Sequence, residues 1–131
     1  MIDEGLDRFV GAFIARDRKE RWRTLLNSPN GRKRLVRTFA HGYDFDPRWA
    51  TNLGSTSTVE SILKLLRSKG AGKTCLALSE DSSLDGAVLP LEEAVGAVLW
   101  RGFGTYLICD PERLAYFESE DVGGHYLLER P

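Results

Sequence analysis

The side chains of this 131-residue chain that could do chemistry are two histidines, two cysteines and two groups of carboxylates. His41 and His125 have no partner at metal-ligand spacing, and neither a His-x-x-x-His nor a Cys-x-x-Cys occurs, so no metal is expected. Cys75 and Cys109 lie inside apolar runs, where cysteine behaves as a small hydrophobe. A dyad of either with His125 would depend on strand register, but no sequence neighbour lowers either thiol's pKa, and two reduced core thiols are expected. Carboxylates gather at Glu80, Asp81 and Asp85, and again at Glu118, Glu120 and Asp121. Acid–base catalysis needs two of them about 5–9 Å apart with separated pKa values. Both groups fall at expected turns, where they better suit a surface for a cationic partner.

Two glycine-containing stretches resemble anion cradles. Gly70-Ala71-Gly72-Lys73-Thr74 ends like a phosphate-binding loop, but Arg67 stands where the first glycine belongs. Its context is also inverted, because a helix precedes it and a strand follows. A glycine ending a helix explains it. Gly54-Ser55-Thr56-Ser57 does precede a helix, yet Glu60 in the first turn competes for the free amides and repels an anion. No cofactor is expected from either.

The elements that must position these residues follow from periodicity. Leu6, Phe9, Val10, Phe13 and Ile14 make a helical stripe, which Arg16 to Arg21 interrupts before Trp22, Leu25 and Leu26 resume it. Ser28-Pro29 opens a second helix running to about His41. Ser57 and Glu60 fit a capping box for a helix with Val59, Ile62, Leu63 and Leu66 inward, closed by Gly70. A further helix starts at Pro90 and buries Leu91, Ala94, Val95, Val98 and Leu99, with Arg101 in its last turn and Gly102 after it. Strands are expected at Thr74–Ser79, Thr105–Cys109, Leu114–Glu118 and His125–Glu129, with turns at Asp110–Arg113 and Val122–Gly124. The fold class is α+β: N-terminal helices, then a β-α-β-β-β unit whose four-stranded mixed sheet, with a right-handed crossover, packs with about four helices. One domain is expected over 1–131, helical in 1–56, with a helix and the β-α-β-β-β unit in 57–131.

Apolar residues are 42% and charged residues 28% of the chain, which excludes a disordered or collagen-like protein. The N-terminus lacks the pattern of a secretory signal, and Ala87 to Trp100 is too short and too charged to span a bilayer, so a cytoplasmic protein without membrane contact is expected. Charge is unevenly divided. Up to Lys73 there are 15 Lys+Arg against 8 Asp+Glu; from Thr74 onward there are 3 against 11. Either the halves pair, for about 0–1 kcal/mol per surface ion pair, or they form separate faces. A radius of gyration of roughly 14 Å exceeds the roughly 8 Å screening length, so separate faces would act independently.

Three functions follow. The leading one is a non-enzymatic protein-binding module, of inhibitor or immunity type, using Tyr116, Glu118, Glu120, Asp121 and Tyr126, aided by Phe117. The second is nucleic-acid binding through Arg16, Lys19, Arg23, Arg32, Lys33, Arg34 and Arg37. The third is a small-molecule enzyme with a pocket between helices and sheet, for which no motif speaks.

Overall fold

The computed structural model describes residues 3–41, 43–54, 56–109, 113–120 and 124–130, with Ala40 and His41 described by backbone alone. Among the described residues, five α-helices and six strands follow one another as α1 (Glu4–Phe13), α2 (Lys19–Leu26), α3 (Pro29–Val36), β1 (Ala50–Asn52), α4 (Val59–Ser68), β2 (Thr74–Ser79), β3 (Val88–Pro90), α5 (Leu91–Val98), β4 (Thr105–Cys109), β5 (Leu114–Glu118) and β6 (His125–Glu129). Short 3-10 turns cover Arg37–His41 and Pro47–Trp49. The basic stretch that breaks the first apolar stripe is divided: Arg16–Arg18 lie between α1 and α2, and Lys19–Arg21 open α2. Ser28 accepts the Gly31 amide, and Pro29 opens α3.

The sheet corrects the four-stranded mixed arrangement expected above. It has six strands in the order β1-β6-β5-β4-β2-β3, every neighbouring pair antiparallel. The chain reverses after β2 through a turn closed by Gly86 N–H on the Ala77 carbonyl, and β3 runs back along β2. Helix α5 therefore carries the chain from β3 to β4, two parallel strands with β2 between them. The expected parallel β2–β4 crossover is absent because β3 has already turned the chain. β1 and β3 occupy the two edges and are three residues each, which leaves little open edge to pair with another chain. Pro90 ends one of them, where a missing N–H costs no ladder bond.

Helices cover both faces. Leu78, Tyr106, Ile108, Ala115, Phe117 and Leu128 face α1–α3; Ala77, Cys109, Leu114, Tyr116 and Leu127 face α4 and α5. Every residue of β4 and β5 is buried as a result, so the two runs read as nearly continuous apolar strands. Cys75 and Cys109 sit opposite each other on β2 and β4 as free, buried thiols. Burial raises them to about 11 and about 12. The capping box of α4 is one residue later than expected: Thr58 and Ser61 exchange the two bonds, while the Ser57 hydroxyl turns to the Leu53 carbonyl. Gly70 has φ +100°, the left-handed conformation that closes a helix, as the reading of Gly70–Thr74 requires.

Candidate functional site

The buried polar groups converge where α5 hands the chain to β4. Helix α5 ends at Val98, three residues before Arg101, and Leu99 is already extended. Trp100 follows with φ +64°, the one non-glycine residue with positive φ among the described residues. A bulky side chain in that region costs about 1–3 kcal/mol, and the surroundings must hold it there.

Glu118 supplies the hold. Alternation along β5 points Leu114, Tyr116 and Glu118 to the α5 face, and Glu118 lies at the strand's end, 1% exposed. Its Oε1 accepts the Trp100 amide at 2.9 Å and its Oε2 the Gly102 amide at 3.4 Å. The Tyr116 hydroxyl lies 3.3 Å from Glu118 Oε1 and 2.6 Å from Nδ1 of His125. Both contacts are satisfied if His125 Nδ1–H donates to the phenol oxygen and the phenol proton goes to Glu118. Burial raises the Glu118 pKa, against the lowering pull of the Trp100, Gly102 and Arg101 amides and the Tyr116 hydroxyl. Burial lowers that of His125.

The same loop is fixed at its far end. Glu80 accepts the Gly104 amide through its side chain and returns its own amide to the Gly104 carbonyl. Thr105 Oγ1 bonds the Phe103 carbonyl and faces Ser79 Oγ at 2.7 Å. Held this way, residues 100–103 present Trp100 at 48% exposure, Arg101 exposed and Phe103 at 46%. The Trp100 ring stands edge-on to His125, 4.4 Å between centroids, and its Nε1–H donates to the Ser57 carbonyl. The rings are displayed on a fixed backbone. Tyr116, His125 and Glu118 are sealed beneath them, so this Tyr–His–Glu network orients a loop and offers no reacting atom to a substrate.

The residues singled out from the sequence disperse. Tyr116 and Glu118 were expected on an acidic outer surface; they are interior, because α4 and α5 pack over their face of the sheet. Tyr126 is half-buried among Tyr43, Phe45 and Phe117, Glu120 is exposed, and Asp121 lies outside the described residues. Among the basic residues, Arg23 pairs with Asp7, and Arg32 pairs with Asp85 through two bonds, while Lys19 donates to the Gly11 carbonyl. Arg16, Lys33, Arg34 and Arg37 are exposed and make no ion pair among the described residues. The charge halves thus mix: Arg32–Asp85, Arg67–Glu92 and Lys69–Glu129 join them, and part of the basic half stays open.

The Trp100–Phe103 loop was missed because Leu99 completes the helical stripe and Gly102 reads as a helix terminator. The available signal was Glu118, a lone acid in the apolar run Leu-Ala-Tyr-Phe-Glu. The chain matches no family model, no curated protein and no solved structure. Among the described residues no group of three or more His, Cys, Asp or Glu could hold a metal, and no helix is long and apolar enough to cross a membrane.

Proposed function

We propose that this protein is a non-enzymatic protein-binding module, acting by occupying a partner's surface, with Trp100, Arg101 and Phe103 as its anchors. The observation that carries this reading is Trp100: a half-exposed tryptophan in a strained backbone conformation, pinned from below by a buried carboxylate. Burying Glu118 among polar partners and straining the backbone both cost stability, and an indole that leaves 48% of its surface in solvent returns only part of it through the Ser57 carbonyl and the His125 ring. A partner's pocket can return the rest. Tryptophan and arginine dominate binding hot spots, and a contact loop that is already ordered loses little entropy on association. The surface is thus the loop after α5 in place of the acidic strand residues.

Affinity capture from cell extract tests this reading, with the wild type and a Trp100→Ala/Phe103→Ala double variant as baits. The wild type retains a discrete polypeptide in near-stoichiometric amount, and the double variant, folded by circular dichroism, loses at least about 30-fold in affinity for it, as removal of a hot spot of 2 kcal/mol or more requires. Equal retention by both baits, or no polypeptide retained by the wild type, refutes the proposal.

A further inference from the structure

A second surface, built by different elements, carries a different chemistry. Arg18 and Arg21 at the start of α2, and Arg37 in the turn after α3, line one cleft of about 470 Å³ together with Thr38, Tyr43 and Asp44. That volume lies within the range of small-molecule sites, roughly 300–1,000 Å³. Three arginines from separate segments line it, and Asp44 is the one carboxylate among the described lining residues. Asp44 is already engaged: its Oδ2 accepts the Trp22 indole N–H at 2.9 Å, and its Oδ1 lies 3.5 Å from Arg18 Nη1. Arg21 and Arg37 are exposed and have no ion pair among the described residues. Like charges gathered around a concavity repel each other, and an anion between them removes that cost while accepting the planar forks of donors that guanidinium offers to phosphate oxygens.

The cleft has an aromatic wall as well. Tyr43 lies parallel to Phe45, 4.1 Å between centroids at 10°, and is tilted against Tyr126, yet keeps 48% of its surface open. The backbone beside it is fixed: the Asp44 carbonyl accepts the Ala15 amide at 2.7 Å, and the Asp46 amide donates to the Phe13 carbonyl at 2.7 Å. A half-exposed phenol ring on a tethered backbone, lining the same cleft as arginines without an ion pair among the described residues, suits a ligand with a planar heterocycle at one end and phosphate at the other. Base stacking on an aromatic side chain tolerates any base and contributes about 1–3 kcal/mol.

We infer that the Arg18–Arg21–Arg37 cleft binds a nucleotide, its phosphate on Arg21 and Arg37 and its base on Tyr43. The source is either a free mononucleotide or a nucleotide within a single strand, and the two share this chemistry. The inference does not depend on the Trp100 loop.

Calorimetric titration of the full chain with adenosine monophosphate, adenosine, inorganic phosphate and a ten-nucleotide single-stranded RNA tests it. Adenosine monophosphate binds saturably at one site and at least tenfold more tightly than adenosine or phosphate. Arg21→Ala and Arg37→Ala, both at exposed positions, each weaken it by at least about tenfold, the scale of one charged hydrogen bond. Tyr43→Ala removes the advantage over phosphate. RNA binding lost in the same three variants, and tighter than that of the mononucleotide, identifies the strand as the source. No saturable binding of either nucleotide form, or binding that all three variants retain, overturns the inference.

Discussion

Glu118 and His125 are buried ionisable groups whose shifts have opposite consequences for stability. His125 is held below its ordinary value of 6.5 by burial, so between its native pKa and 6.5 the unfolded chain binds more protons than the native one. Its contribution is complete above 6.5 and is lost as pH falls through the native value. Glu118 is raised above 4.5 by burial, so its contribution is complete below 4.5 and is lost as pH rises through its native value. Replacing the histidine separates the two. Thermal unfolding followed from about pH 5 to 8 is expected to show the wild type losing melting temperature below pH 6.5 relative to His125→Asn, whose amide cannot titrate. Parallel profiles for the two proteins would remove His125 from the account. Of the residues read from the sequence, Tyr116 and Glu118 were expected as contact residues for a partner, and both are buried. Whether β5 has an open face depends on α4 and α5 packing over it, which no local pattern encodes.

The longer elements were legible because each carries several turns or alternations of pattern. β2, β4, β5 and β6 occupy the expected residues, and Ser28-Pro29 marks the start of α3. β1 and β3 were not legible, since three residues contain a single alternation and their pairing is decided by the neighbouring strand. Missing β3 then inverted the relation of β2 to β4. The end of α5 was misread for a related reason: the apolar stripe continues through Leu99, but the backbone leaves the helix so that the Trp100 and Gly102 amides can reach Glu118. The same segment supplies a prediction at Gly104, where a Cβ would collide with the backbone and Cβ of Phe39. Backbone cannot give way as a flexible side chain does, so Gly104→Ala is expected to cost about 1–3 kcal/mol. Denaturant unfolding should show a lower midpoint at unchanged slope. An unchanged midpoint would mean that the turn after α3 does not rest on this loop.

Across the whole molecule, the ends of β2 and β5 and the starts of β4 and β6 bring Glu80, Glu118 and His125 to one end of the sheet, under the Trp100–Phe103 loop. The uneven charge of the sequence is partly spent holding this three-layered arrangement together, as in the Arg32–Asp85 pair that ties α3 to the loop after β2. The remainder stays open on the helical side as the arginine cleft. The two proposed surfaces thus belong to different layers, and the central claim is that the loop joining α5 to β4 is as ordered as the core beneath it. Amide hydrogen exchange resolved by residue over the whole chain, on the wild type and Glu118→Gln, tests that claim most directly. Trp100 and Gly102 should exchange as slowly in the wild type as the amides of β4 and β5, and become selectively fast in the variant, whose side-chain amide keeps one acceptor oxygen of the two. Fast exchange at both positions in the wild type would contradict it.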